Sequence, residues 1–335
     1  MKFTLILLAL FFSITSHHAF AFTEQEKVEK LSLIKKIKSE GGTVYVIVPK
    51  SVTDLHFITA ARGCKDAARK VGVHCIYYGS SVSNMRLQVI DILKLIATGV
   101  DGIAIAAIKE GWVANKIGVQ LKNWGKPIVT FDSPLSPKIA QNYIGTNNYL
   151  LGKALGTEIR KLKPTGGHFC IQSERPDSAN HNERIKGIMD GITKNGEDKD
   201  RWDSFVRCPI KHFGDFERAT KQMVRMISKF KVNIFISTGG GPQFLPALYR
   251  ESMKPFKIHI KTRKLIFANI DTTPVQLEYL KENLSTINVG QRPYEMGRQS
   301  LIALKKMTDG EPVPTFINTG LTYCTKKSAD TCTKQ

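Results

Sequence analysis

The sequence lacks the short motifs that mark many enzyme families. It contains no G-x-S-x-G, no G-x-G-x-x-G and no phosphate-binding P-loop. It has no C-x-x-C and no cysteine–histidine cluster that would predict a metal site. The carboxylates that could form a catalytic pair follow predicted strands in different halves of the chain. They are explained as acceptors of hydrogen bonds from hydroxyl groups. We therefore predict that the chain is not an enzyme and that it needs neither a metal nor a cofactor.

Acidic residues are scarce: 29 Asp and Glu stand against 49 Lys and Arg, which gives a formal net charge of +20. The basic residues are spread along the chain instead of being concentrated in an arm, a distribution that does not favour nucleic-acid binding. Pairs such as Lys35-Lys36 are explained most simply as solvated helix faces. Attraction to an anionic membrane surface or to an anionic ligand is the alternative explanation.

Long apolar runs are absent except at the start of the chain. There Lys2 precedes an apolar run over residues 5–12, and Ala19-Phe20-Ala21 provides the small-x-small pattern of a signal peptidase site. The run is too short to span a bilayer, which takes about 20 residues. The alternative, a membrane anchor, is therefore less favoured. We predict that residues 1–21 are a cleaved signal peptide and that the exported protein starts near Phe22.

The number of cysteines is even, and all six lie after the predicted cleavage site. In an exported protein this pattern favours disulfides over buried free thiols. Fifteen pairings are possible, and the spacing suggests three local ones. The suggested pairs are Cys64–Cys75, Cys170–Cys208 and Cys324–Cys332.

Short β-branched runs alternate with helix-length amphipathic segments along the chain. Strand 43–48 is followed by helix 54–71, and the alternation restarts at strand 168–172. Strands separated by helical crossovers predict parallel sheets with helices on both faces, and two such series predict two similar α/β/α lobes. Later segments include a strand over 204–208 and a helix over 242–253. An extra amphipathic helix over 24–39 precedes the first strand, either packed across one lobe or in contact with a partner.

Ligands of open α/β sheets lie beyond the carboxyl ends of the strands. The residues that follow the predicted strands are carboxylates, amides, an arginine and aromatic residues. Such a set suits a polyhydroxy ligand, because carboxylates accept hydrogen bonds from hydroxyls, Arg and Asn donate, and flat rings cover C–H faces. The candidate ligand-binding residues are Asp54, His56, Phe57, Asp132, Asn182, Arg184, Phe216, Gly240, Asp271 and Gln291.

At these positions the chain resembles the type I periplasmic binding proteins, the ribose- and galactose-binding family, over nearly all of residues 42–320. Each motif is weak alone, but six occur in the family's order after a signal peptide. They are Pro127-Ile-Val-Thr-Phe-Asp132-Ser133, Ile144-Gly-Thr-Asn-Asn148, Asn182-Glu-Arg184-Ile-Lys-Gly187, Asp215-Phe216, Ile270-Asp271-Thr-Thr-Pro274 and Gln291-Arg-Pro-Tyr-Glu-Met-Gly297. The resemblance implies two lobes joined by a three-segment hinge. We expect one lobe over residues 22–146 and 292–319, and the other over 147–291 and 320–335.

The chain departs from the family's pattern at several of these positions. Ser133 replaces the family's arginine, and Gly240-Gly241 replaces an Asn-Asp pair. Lys50 occupies the place of a serine, and His56 that of an aromatic residue. An anionic ligand held by Lys50, Gly239 and Gly241, at the start of the helix predicted from Pro242, is therefore the alternative to a neutral one.

The resemblance implies a monomeric periplasmic solute-binding protein. It would capture a small sugar or polyol by hinge closure and deliver it to the permease of an ABC importer. The alternative is a binding protein that reports ligand to a membrane histidine kinase or chemoreceptor. The related repressors carry an N-terminal DNA-binding motif where this chain has the predicted signal peptide, so nucleic acid is not an expected partner.

Overall fold

The computed structural model of the protein describes residues 24–140, 142–176 and 178–333, and the predicted signal peptide lies outside them. The strands, in chain order, are β1 Val44–Val48, β2 His74–Tyr77, β3 Gly102–Ile105, β4 Ile128–Phe131, β5 Tyr143–Gly145, β6 Gly167–Ser173, β7 Trp202–Ser204, β8 Ile210–Lys211, β9 Ile234–Ser237, β10 Ile266–Ile270, β11 Ile287–Gly290, β12 Phe316–Asn318 and β13 Thr322–Thr325. The α-helices are α1 Glu24–Ser39, α2 Leu55–Lys70, α3 Met85–Thr98, α4 Glu110–Asn123, α5 Asn148–Leu162, α6 Ala179–Thr193, α7 Phe216–Ser228, α8 Pro246–Met253, α9 Lys257–Lys261, α10 Pro274–Lys281 and α11 Pro293–Thr308. None of these helices is long and apolar enough to cross a membrane.

The strands form two sheets with helices packed on their faces, as predicted from the alternation of strands and helices. The first sheet has the order β12-β5-β4-β3-β1-β2, and its strands are parallel. The second has the order β13-β11-β10-β9-β6-β7, with β8 also on β6, and all pairs are parallel except β11–β13. Central strands such as β1 consist of buried Val, Tyr and Ile, which suits strands covered on both faces.

The chain passes between the two sheets in three short segments. The first lies between β5 and α5, the second between β11 and α11, and the third between β12 and β13. Asn147 caps α5 by accepting a hydrogen bond from the Leu150 N–H at 2.9 Å, so the first passage turns directly into a helix of the second lobe. The predicted lobe boundaries fall in these segments and stay a prediction.

Helix α1 packs on the first lobe, which was one of the two alternatives for it. Ile34 and Ile37 are buried in the core beneath β1. Lys27 is also buried, and its Nζ lies 2.9 Å from Asp91 Oδ1 on α3. Ser80 Oγ donates to Asp91 Oδ2 at 2.9 Å, so the buried carboxylate is satisfied from two sides.

Two helix pairs approach each other backbone to backbone through glycine. A Cβ at Gly187 on α6 would overlap the carbonyl group of Tyr149 on α5, and one at Gly152 would overlap the carbonyl of Arg184. In the first lobe, a Cβ at Gly297 on α11 would overlap the carbonyl of Ala60 on α2. The absence of a side chain at these positions is therefore a packing requirement.

All three disulfides suggested by the cysteine spacing are present. Their Cα–Cα distances are 6.0 Å for Cys64–Cys75, 5.4 Å for Cys170–Cys208 and 5.5 Å for Cys324–Cys332. Cys64–Cys75 joins α2 to β2, and Cys170–Cys208 joins β6 to the segment before β8. The disulfide prediction is confirmed.

Two predicted elements differ from the structure. The strand predicted over 204–208 is wrong, because residues 205–209 form a turn between two short strands, β7 and β8. The helix predicted from Pro242 begins at Pro246, because residues 241–243 form a single 3-10 turn. Gly239–Gly241 therefore do not lie at the N-terminus of a regular helix, and the geometric argument for an anion site there loses its basis.

Candidate functional site

Asp132 is the centre of the polar cluster on the first lobe. It follows β4 with a φ of 60°, and its backbone N–H donates to the Ile144 carbonyl at 3.2 Å. Its carboxylate lies 2.7 Å from Lys50 Nζ and 3.1 Å from His56 Nε2. Lys50 follows β1 and His56 lies in the first turn of α2, so three elements converge on one carboxylate at the carboxyl edge of the sheet.

The charges in this cluster compensate one another. Desolvation disfavours the ionised form of Asp132, but Lys50 and His56 outweigh it and hold the pKa of Asp132 far below its usual range. Desolvation likewise disfavours the charged form of His56, but the neighbouring Asp132 carboxylate raises the pKa of His56 above its usual value. The Lys50 ammonium already has an anionic partner here, so it is not an unpaired cation waiting for an anionic ligand.

The other two first-lobe candidates differ in exposure. Asp54 is exposed and caps α2, accepting a hydrogen bond from the His56 N–H at 2.8 Å. Desolvation within the cleft raises the pKa of Asp54, although the hydrogen bond from His56 opposes it. Phe57 is only 4% exposed and packs edge-on against Phe131, so it supports the site from within the core.

Arg184 is the cationic candidate for ligand binding on the second lobe, and it is only 4% exposed. Its Nε donates to Asn148 Oδ1 at 2.8 Å, and one terminal nitrogen donates to the Thr238 carbonyl at 2.9 Å. These bonds use two of the five guanidinium N–H donors. Asn182 lies on the same helix, but it is exposed and its amide donates to the Pro176 carbonyl at 2.8 Å.

Asp271 and Gln291 form the second polar pair of this lobe. Asp271 follows β10 with a φ of 83°, and the amide of Asn288 donates to its carbonyl at 2.8 Å. Gln291 follows β11, and its Nε2 donates a hydrogen bond to Asp271 Oδ1 at 3.3 Å. Gln291 is 9% exposed, so this pair is pre-positioned by two adjacent strand ends.

The remaining second-lobe candidates surround two histidines. A Cβ at Gly239 would meet the His181 ring at 3.2 Å, and a Cβ at Gly241 would lie 2.7 Å from His212 Nε2. Gly240 lies beneath the Phe244 ring, where an added Cβ would overlap it. These glycines therefore make room for rings.

Phe216 is 36% exposed, and its ring meets that of Phe244 edge-on with centroids 4.9 Å apart. Phe244 is itself 42% exposed. Exposed flat rings of this kind can cover the C–H face of a sugar.

The two polar clusters lie close enough for their charges to influence each other. The charge of Asp271 on the second lobe contributes to the raised pKa of His56 on the first. Desolvation lowers the pKa of His181, and the charges of Arg184 and Lys50 lower it further, although Lys50 lies on the other lobe. The sequence-predicted polar candidates of both lobes are thus brought together, except Asn182, whose amide is engaged in its own loop.

Several residues of the site were not singled out from the sequence. Asn148 orients Arg184, and Tyr143 donates its hydroxyl to the Asp132 carbonyl at 3.0 Å. His181 contacts Thr238 Oγ1 through Nδ1 at 2.8 Å. Asn148 belongs to a quoted motif and His181 lies beside Asn182, so both stood next to recognised signals. Within the described residues, no cluster of His, Cys, Asp and Glu is suited to hold a metal.

Comparisons with known proteins identify the family and the fold of the chain. The periplasmic binding protein domain family matches residues 44–312. A xylose/arabinose-binding protein, XylF, from Sulfolobus acidocaldarius is 26% identical over 157 residues, which are 44% of this chain and 39% of that relative. The chain thus spans less than half the length of that curated relative in the match.

Solved structures match over most of the chain. A solute-binding protein of an ABC transporter from Burkholderia graminis, in complex with D-arabinose, is 26% identical with a TM-score of 0.74, covering 87% of this chain and 98% of that one. AraP, an arabinose-binding protein from Geobacillus stearothermophilus, is 24% identical with a TM-score of 0.73, covering 87% of this chain and 99% of that one. The second likeness shows the shared fold.

Proposed function

Because this chain belongs to the periplasmic binding protein family, we propose that it captures a small, neutral polyhydroxy compound, a sugar or a polyol, between its two lobes. The observation that carries the proposal is the pairing of the cleft charges. Lys50 lies against Asp132, and the second lobe supplies one cation, Arg184, and one carboxylate, Asp271. A neutral ligand rich in hydroxyls leaves these charges balanced while using the remaining donors and acceptors.

The division of the site between the lobes supports a closure mechanism. Asp132 and His56 lie on the first lobe, and Arg184 and Asp271 on the second, so a bridging ligand completes both sets of contacts only when the lobes approach. Hydrogen bonds to charged groups contribute about 1.5–3 kcal/mol each. A few of them are enough for micromolar affinity, about −8 kcal/mol.

The relatives support the sugar class. XylF is named for xylose and arabinose, and the Burkholderia graminis protein is in complex with D-arabinose. We propose that the protein works in the periplasm and delivers its ligand to the permease of an ABC importer. Copurification with a permease supports that output, and copurification with a sensor kinase or chemoreceptor assigns the chain to signalling instead.

A thermal-shift panel tests the ligand class. Pentoses, hexoses and inositols are compared with sugar phosphates and sugar acids, because a ligand that binds the folded state raises its stability by RT ln(1 + [L]/Kd). At least one neutral compound is expected to raise the Tm. A response restricted to phosphates or acids would show that the ligand is anionic and that our proposal is wrong.

Substitutions connect the response to the proposed contacts. Asp271→Asn keeps the shape of the side chain but removes its charge, and Arg184→Ala removes the second-lobe donor. Each is expected to abolish most of the ligand-induced shift. Asp200→Asn, at an exposed position outside the cleft, is the matched control and should respond as the unmodified protein does. Equal shifts in all variants would place the ligand elsewhere.

A further inference from the structure

A groove runs along the outer edge of the first sheet, and at one end it reaches Val52, Thr53 and Leu55, which flank the candidate ligand-binding residue Asp54. Its floor is β2, the last strand of that sheet, and its walls are α1 and α2. The two helices lie on opposite faces of the sheet, since α1 packs with Val44 and Val46 and α2 packs with Tyr45 and Ile47. The groove encloses about 1210 Å³.

Apolar side chains line both walls of this edge groove. Leu33 on α1 is 45% exposed, and Leu55 and Ile58 on α2 are 57% and 42% exposed. Val73 and Ile76 contribute to the floor. Exposed apolar surface concentrated in one concave site marks a surface that another molecule covers.

The rim of the edge groove is strongly basic. Its charged residues are Lys30, Lys36, Arg62, Lys65, Arg69, Glu40 and Asp66. Both carboxylates of this set form ion pairs within the protein. Glu40 lies 4.0 Å from Lys36 Nζ, and Asp66 pairs with Arg69. Burial and, to a lesser degree, the charge of Lys65 lower the pKa of Lys30 to about 8. Cations outnumber carboxylates along this rim, and the excess positive charge complements an acidic partner.

The floor of the edge groove presents backbone groups as well as side chains. The N–H groups of His74 and Tyr78 donate to β1, so by alternation the N–H and C=O of Cys75 point outward. The Tyr77 carbonyl also points outward, but it already accepts a hydrogen bond from Lys30 Nζ at 2.9 Å, so Cys75 supplies the outward backbone groups at the centre of this edge. The Cys64–Cys75 disulfide fixes this strand to α2. At the other edge of the first sheet, the added strand is β12, beside β5. In the second sheet, β13 is added beside β11 in the same way. The β2 edge carries no further strand among the described residues.

We propose that the edge groove is a docking site for a partner protein, which adds an extended apolar segment flanked by acidic residues to β2. An added strand satisfies the outward backbone groups of an edge and sends alternate side chains to opposite faces, here toward α1 and toward α2. A helix would fill the same space without meeting those backbone groups. The basic rim pairs with the acidic flanks and fixes the position of the segment.

Fluorescence anisotropy with a labelled peptide tests the proposal. The probe is a nonapeptide of five alternating valines and isoleucines between two acidic pairs. The comparison peptides carry lysine pairs in place of the acidic ones, or a central proline that cannot donate to β2. The acidic peptide is expected to bind at least tenfold more tightly than either, and its affinity should fall with added salt.

Charge reversal on the protein provides the second arm. Lys36→Glu with Lys65→Glu changes two rim residues, and Lys35→Glu with Lys70→Glu makes the same change in net charge at exposed positions outside the groove. The rim variant should lose at least tenfold in affinity for the acidic peptide, and the control variant less than threefold. Both should keep the sugar-induced thermal shift, which reports an intact cleft.

Three outcomes overturn the proposal. The first is equal binding of the acidic and lysine-flanked peptides, or equal loss in the rim and control variants. The second is concentration-dependent dimerisation of the unmodified protein that Ile58→Asp abolishes, which assigns the groove to a second copy of this chain. The third is binding to vesicles of anionic lipid that the rim variant loses while the peptides fail to bind, which assigns it to a membrane surface.

Discussion

Replacement of Lys50 by methionine tests how the first-lobe cluster is held together. The ion pair joins Lys50 Nζ to Asp132 Oδ2 at 2.7 Å, and 26% of the Lys50 side chain and 11% of the Asp132 side chain are exposed. Removing one partner of a fully buried pair costs about 3–5 kcal/mol. Because Lys50 retains contact with water and His56 still faces Asp132, we expect the free energy of unfolding to fall by about 1.5–3 kcal/mol at neutral pH.

The pH dependence of this loss identifies its cause. The pKa of Asp132 in the folded protein lies below its unfolded value, so the stabilisation is present above about pH 4 and is lost as the pH falls through the folded pKa. In Lys50→Met the pKa of Asp132 rises toward its usual range. The stability difference between the two proteins should therefore be constant from about pH 7 to pH 5 and shrink below about pH 4.

Urea unfolding at a series of pH values measures the difference directly. Lys126→Met, which removes an exposed lysine of the same lobe, is the matched control and should change stability by less than about 0.5 kcal/mol. Equal stability of the two variants, or a difference that persists undiminished in acid, would refute the ion pair as the stabilising contact.

Three further perturbations address the packing of the lobes. Gly187→Ala should lower stability by about 1–3 kcal/mol in thermal unfolding, because its Cβ would overlap the Tyr149 carbonyl, whereas Gly111→Ala, with open space around the added Cβ, should be neutral or slightly stabilising. Lys27→Met should cost about 3–5 kcal/mol by leaving Asp91 buried and unpaired, but the double replacement with Asp91→Leu should recover most of that loss; an additive double variant would argue against the buried pair. Removal of the disulfide with a sequence separation of 38 should cost about 4 kcal/mol, and removal of the one with a separation of 8 about 2.5 kcal/mol; the reverse order in urea unfolding would contradict the loop-entropy argument.

Long amphipathic helices between buried strands were predictable from the sequence, and short elements were not. The helix predicted over 54–71 corresponds to α2, Leu55–Lys70, because a capping aspartate and a periodic apolar face specify it. Strands β12 and β13 were missed, since each has only three or four residues and depends on pairing with a distant strand. The start of α8 was placed too early because a Gly-Pro sequence suits a 3-10 turn as well as a helix start.

The sequence suggested candidate residues for the site, but it did not indicate how they are partnered. Asp132 and Asp271 were predicted from motifs at strand ends and Arg184 from a motif on a helix, and their contact with a ligand stays a prediction. The ion pair between Lys50 and Asp132 could not be foreseen, because it joins residues 82 positions apart and depends on how β1 and β4 end relative to each other. The pairing of Arg184 with Asn148 depends in the same way on the close approach of α5 and α6.

The glycine contacts between α5 and α6 have a mechanical consequence. Helix α5 starts at the first passage between the sheets, and α6 carries Arg184. Because the two backbones touch at these glycines, we expect the pair to move as a unit and to carry a rotation at the passage to the guanidinium. We therefore expect the change of shape to occur in the three connecting segments. Substitutions in those segments should alter how far the cleft opens and leave the arginine's orientation on its own lobe unchanged.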